Sequence, residues 1–272
     1  MTRVAVVGLG LIGGSVALGS SARGWDRDAE IRERARRRGI EAADTLEEAV
    51  AGAGLAVAAV PTSETPAILR EMARLAPEAI LTDCASLKVP VEDAARTLPA
   101  GARFVAGHPM AGGRGQGLAG ADPAIFRDRP WALVRTARSD DASIAEVAAF
   151  VRSLGARPLE IDAERHDRAM TWVSHLPLAV SSALARAAAS GARGDVRELA
   201  GPGLLDATRL AGGAPDLALE LALAGDRDAL ARAIESVRAE LSRLASALSS
   251  ADAQSLRAFF EEAETLRRSF ER

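Results

Sequence analysis

The chain has 272 residues, 48% of them hydrophobic and 26% charged, a balance that suits one large or two ordinary globular domains and excludes a disordered chain. A formal net charge of -3 leaves no electrostatic footprint for nucleic acid or for an anionic membrane surface. No apolar run approaches the roughly 20 residues that span a bilayer, and the start lacks a signal-peptide pattern, so a cytoplasmic address is expected.

Val4 to Val7 is a short apolar run that ends in Gly8-Leu9-Gly10-Leu11-Ile12-Gly13-Gly14-Ser15, the pattern of a strand turning tightly into a helix. Glycines there permit the turn and the close approach of a pyrophosphate, whose charge meets the helix N-terminus. Gly8, Gly10, Leu11, Ile12 and Gly13 are therefore candidate cofactor contacts. Asp26 lies 18 residues after Gly8, near the place of the acid that binds a ribose 2′-hydroxyl, with Arg27 beside it. Leu55 to Val60 and Ala79 to Thr82 read as buried strands separated by the helical pattern Glu64 to Leu75, and the alternation predicts a parallel sheet. Pro61 closes the first of these strands.

Asp83-Cys84-Ala85-Ser86-Leu87-Lys88 follows the second strand and precedes Pro90, which suits the first turn of a helix. Ser86 then stands near a helix N-terminus, either as a functional hydroxyl or as a plain capping residue beside a solvated lysine. Lys88 is the only lysine among 34 basic residues, which gives it more weight than a lysine usually has. Cys84 is the only cysteine; it excludes an intrachain disulfide and reads as a small buried hydrophobe. Arg103 to Ala106 predicts a further strand leading into the loop Gly107-His108-Pro109-Met110-Ala111-Gly112. A histidine held among such residues can exchange a proton near neutral pH, or it can simply tie down a turn. Trp131 to Val134 and Arg157 to Ile161 read as strands flanking a helix at Asp140 to Leu154. The strand ends thus carry Gly8, Pro61, Ser86 and His108 on one edge, where open parallel sheets gather ligands.

After Asp162 strand signals vanish, and alanine and leucine recur at helical spacing to Phe270, broken at Gly191 to Gly194, Gly201 to Gly203 and Gly212 to Pro215. The expected organisation is α/β: a Rossmann-type dinucleotide-binding domain over 1–161 and an all-helical domain over 162–272. Long alanine-rich helices bury their apolar faces against something, and a partner subunit is a natural candidate. His166 and His175 are nine residues apart in the first of these helices, about 900° of an α-helix, so they point to opposite faces and no metal pair is expected.

Gly8 to Ser15, Ser86-Leu87-Lys88, Gly107 to Gly112, His166-Asp167, Ser174-His175-Leu176-Pro177 and Asp206-Ala207-Thr208-Arg209 occur together and in order, and nearly the whole chain resembles the prephenate and arogenate dehydrogenase family. The resemblance implies oxidative decarboxylation of a cyclohexadienol in tyrosine biosynthesis, with a small-molecule substrate and a homodimer made by the helical domain. It implies that His108 accepts the proton of the ring hydroxyl, that Ser86 orients that pair and that Arg209 grips a substrate carboxylate. It also places His175, Lys88 and Gln116 at the substrate. Leu178, Arg114 and Ala218 depart from prephenate-preferring members, and Gln116-Gly117 looks more like arogenate users. The segment Ser15 to Trp25 is shorter than usual, which puts the position of Asp26 at issue. Asp26 favours NAD; Arg27 keeps NADP open.

Other readings remain at this point. A dehydrogenase of the 4-amino analogue and a catalytically silent NAD-binding regulator both fit the resemblance. Short-chain dehydrogenases need a catalytic tyrosine, of which the chain has none, and β-hydroxyacid dehydrogenases use a lysine in the helical half, where none occurs.

Overall fold

Residues 3–112, 115–191, 194–213 and 215–271 are described by the computed structural model. In chain order the first elements are β1 (Val4–Val7), α1 (Leu11–Ser20), β2 (Arg23–Trp25), α2 (Ala29–Arg37), β3 (Glu41–Ala42), α3 (Leu46–Val50), β4 (Leu55–Ala58), α4 (Thr65–Leu75), β5 (Ile80–Asp83) and α5 (Val89–Ala95). They are followed by β6 (Arg103–Pro109), β7 (Pro130–Arg135), α6 (Asp141–Ser153), β8 (Arg157–Glu160) and α7 (Ala163–Met170). The strands form one sheet in the order β3-β2-β1-β4-β5-β6-β7-β8. Successive side chains of a strand face opposite ways, and here both sets are apolar. Val6, Leu55, Val57, Ile80 and Val105 pack on one face with α1 and α6, whereas Ala5, Val7, Ala56, Leu81 and Phe104 pack on the other with α3, α4 and α5.

Two features differ from the expected parallel sheet. β6 and β7 are antiparallel: among the described residues of 110–129 there are short 3-10 turns and no crossover helix, so the chain returns in the opposite sense. The histidine loop is also not a loop: β6 runs through Pro109, and His108 sits in the sheet opposite Ala132 of β7. The short segment after Ser15 is accommodated by a first helix of ten residues that stops at Ser21 in a left-handed conformation. β2 follows at once, and it pairs with β1 in register.

By its internal contacts the chain divides into two compact units. Residues 1–170 and 212–226 make the first unit, which keeps α7 and recovers a later helix. The second comprises 171–211 and 227–272. After α7 the backbone widens into a π-turn over Thr171–His175, so the angle per residue of an α-helix does not carry across from His166 to His175. The next elements are α8 (Leu176–Gly191), α9 (Asp195–Leu199) and α10 (Pro202–Ala207), then α11 (Pro215–Ala224), α12 (Arg227–Ser249) and α13 (Ala253–Ser269). Within the second unit the Ser181 hydroxyl donates to the Ala207 carbonyl at 3.1 Å and accepts from the Ala211 N–H at 3.2 Å, tying α8 to the turn after α10. Among the described residues no helix is long and apolar enough to cross a membrane.

Candidate active site

The turn from β1 into α1 can be built only from glycine at its first position. Gly8 has φ +94°, and a Cβ there would run into the Ala59 carbonyl of the strand alongside. A Cβ on Gly13 would strike the Gly8 carbonyl, whereas one on Gly10 would meet nothing, so Gly10 faces open space. No side chain caps α1 at Gly10, which leaves its first-turn N–H groups, at Leu11, Ile12 and Gly13, to an incoming anion. Asp26 stands directly after β2. Its carboxylate accepts the Leu9 N–H at 2.8 Å and the Asp28 N–H at 3.0 Å, which aims it at the glycine turn in spite of the shortened segment. The pyrophosphate and ribose positions of a dinucleotide therefore fit the residues present.

A cleft of about 740 Å³ opens at this edge of the sheet. Its walls are Ile12, Arg27, the stretch from Ala59 to Glu64 with Pro61, the turn Cys84 to Ser86, and Leu219, Glu220 and Leu223 of α11. The Ser63 N–H donates to Glu220 at 3.1 Å, fastening α11 to the Pro61 loop. Arg27 is exposed and pairs with Glu64 at 3.0 Å. Cys84 packs against the sheet core, and its thiol is pushed well above the ordinary range, first by burial and then by the Asp83 carboxylate.

Beside this cleft two polar networks fix the ends of β5 and β6. In the first, Lys88 is wholly buried and its ammonium lies 2.5 Å from Asp83 and 2.6 Å from the Gly107 carbonyl. Asp83 also accepts the Gly107 N–H at 2.9 Å and the Ala85 N–H at 2.9 Å. The expectation that Lys88 binds substrate is thereby corrected: its charge is consumed inside the protein, where it clamps the residue before His108 to the turn that carries Ser86. In the second network, His108 Nδ1 lies 2.9 Å from His166 Nε2, and His166 Nδ1 lies 2.7 Å from Asp167. Asp167 in turn accepts the backbone N–H groups of Lys88 at 2.8 Å and Val89 at 2.9 Å.

His108 is half-buried, as is Ser86, which lines the cleft from the turn ahead of α5. Gln116 donates to the Gly212 carbonyl at 3.2 Å. In the second unit His175 ends the π-turn and is buried, and Arg209 begins a short 3-10 turn and is exposed. Among the described residues no carboxylate pairs with Arg209, so the surface ion pair with Asp206 does not form. Leu178 lies on α8 and Ala218 on α11, both half-buried; Arg114 lies outside the described residues. Sequence reasoning assigned no role to Asp83 and left His166 open. The signals were an acid five residues before the sole lysine and an adjacent His-Asp pair.

A nucleotide turn, a strand-end histidine anchored from behind and a helical second unit define a dinucleotide-dependent dehydrogenase. Residues 17–160 match the model of the prephenate dehydrogenase nucleotide-binding domain, and 162–262 that of the prephenate dehydrogenase dimerization domain. The chain belongs to the prephenate dehydrogenase family. A prephenate dehydrogenase of Lactococcus lactis subsp. cremoris is 31% identical over all of this chain and 78% of its own length. The crystal structure of Synechocystis arogenate dehydrogenase is 29% identical, with TM-score 0.77, covering 98% of this chain and 99% of that one. That of Aquifex aeolicus prephenate dehydrogenase, in complex with hydroxyphenyl propionate and NAD+, is 24% identical with TM-score 0.86 over 99% of this chain and 98% of the other, a likeness of fold.

Proposed function

We propose that the enzyme oxidatively decarboxylates a cyclohexadienol, arogenate or prephenate, to tyrosine or 4-hydroxyphenylpyruvate in the cytoplasm. Bound NAD supplies the hydride acceptor. His108 takes the proton of the ring hydroxyl as hydride leaves the same carbon, and loss of carbon dioxide returns its bonding pair to the ring, which becomes aromatic. Ser86, on the cleft wall, orients the hydroxyl. Arg209 grips a substrate carboxylate with a planar fork that suits two oxygens, and His175 and Gln116 line the substrate side. Asp26 binds the adenosine ribose through its 2′-hydroxyl and repels a 2′-phosphate, and Arg27, already occupied by Glu64, does little to offset that.

The functional domains are taken as 1–161 and 162–272, the latter making a homodimer. The observation that carries the reading is His108 at the end of β6, held from behind by His166 and from its neighbour by the Lys88 clamp. The test is turnover of prephenate, arogenate and the 4-amino analogue, each with NAD and with NADP. Turnover of a cyclohexadienol with NAD is expected. Binding of NAD with no turnover of any of the three would return the chain to a silent regulatory role.

A further inference from the structure

The histidine pair determines where protons sit, and the determination runs outward from Asp167. Asp167 accepts two backbone N–H groups and lies 2.7 Å from His166 Nδ1. Burial alone would raise its pKa, but the hydrogen bond from His166 and those from Val89 and Lys88 outweigh it and hold the carboxyl below the usual range. An ionised carboxylate has no proton to give, so the His166 nitrogen facing it at 2.7 Å must carry one. Neutral His166 then presents a lone pair at Nε2. The His108 Nδ1 facing that lone pair at 2.9 Å must be N–H, which leaves the lone pair of His108 on Nε2.

We infer that His166 and Asp167 are positioning residues that hold His108 as the Nδ1–H tautomer, keep its basic Nε2 for the reacting proton, and balance the positive charge the ring then acquires. The inference rests on reading His108 as the proton acceptor. When Nε2 takes a proton, the cation is shared between two rings whose far end meets Asp167. Several of the charged groups around His108 are paired among the described residues. From β5 and its turn come Asp83, neutralised by Lys88, and the un-ionised Cys84; β7 places Ala132 opposite, and on α7 Glu164 pairs with Arg168 and Arg165 with Asp162, all at the surface.

The test reads the rings directly, without substrate. Long-range 1H–15N spectra of the full-length labelled protein contain three histidines, assigned with His108→Asn and His166→Gln. Neutral His108 is expected to show a protonated Nδ1 and a bare Nε2. In Asp167→Asn its titration midpoint should fall by about one pH unit, and the acidic limb of kcat/KM should move the same way. The plateau of kcat/KM should drop roughly ten- to hundredfold, less than on removing His108. His166→Gln, whose amide oxygen still accepts from Nδ1–H, should keep the tautomer and lower the midpoint, and it serves if Asp167→Asn does not fold. An unchanged His108 titration in either folded variant would overturn the positioning role even with His108 indispensable. Normal turnover by His108→Asn would overturn the acceptor reading, and the proposal with it, whatever the spectra show.

Discussion

The two units solve burial differently. The sheet unit fills both faces with its own helices, so Val57, Leu81, Phe104 and Val105 are wholly enclosed. The helical unit does not: of the 23 residues of α12 only Ala233 is buried, α13 buries none, and Leu241, Leu248, Phe260 and Leu266 stay more than half exposed. Fully burying such a side chain contributes about 1.5 to 3 kcal/mol, a gain these rows do not make within the second unit. The lesson is a division of labour. The first unit encloses its own core, and the second leaves open the apolar faces that the proposed homodimer would cover.

The contrast can be broken most sharply inside the sheet unit. Lys88→Met leaves Asp83 as an uncompensated buried charge, and thermal or urea unfolding should show a loss of about 3 to 5 kcal/mol; a loss under 1 kcal/mol would show that the clamp is not structural. His108→Asn should do the reverse, lowering turnover at least about a hundredfold with NAD affinity and melting temperature little changed. Near-normal turnover would remove the chemistry from the sheet unit. The smallest effect belongs to the helical unit. Arg209→Ala should raise the KM for substrate by an amount equivalent to about 1.5 to 3 kcal/mol, with kcat moving less. Light scattering should still show a dimer. A monomeric wild type would end the homodimer reading, and an unchanged KM would take Arg209 out of the substrate site.

What could be read from the chain beforehand was what depends on neighbours in sequence. The glycine turn was legible because a positive φ at Gly8 and a close approach at Gly13 are local demands, and the Asp26 carboxylate accepts the Leu9 N–H of that turn. The helical half was legible from its period and its glycine breaks. Gly107-His108-Pro109 reads as a loop because its composition does; β7, reached only after the turns at 117–126, makes it a strand. The antiparallel step goes with the absence of a crossover helix among the described residues between β6 and β7. Lys88 reads as solvated or substrate-facing because nothing nearby in sequence reveals that the Gly107 carbonyl lies over it. His166 and His108 are 58 residues apart, and only the packing of α7 against α5 and the sheet edge brings their rings together.

One wall of the cleft comes from far along the chain. Leu219, Glu220 and Leu223 close a site whose other walls end at Ser86, with well over a hundred residues of sequence between them. A growing polypeptide that has just completed all eight strands therefore still has an open groove, and the Ser63 latch has nothing to fasten until α11 emerges. The same discontinuity governs dissection of the protein. A fragment cut after residue 170 keeps the sheet, the glycine turn and both polar networks, yet lacks the wall of the cleft that α11 supplies.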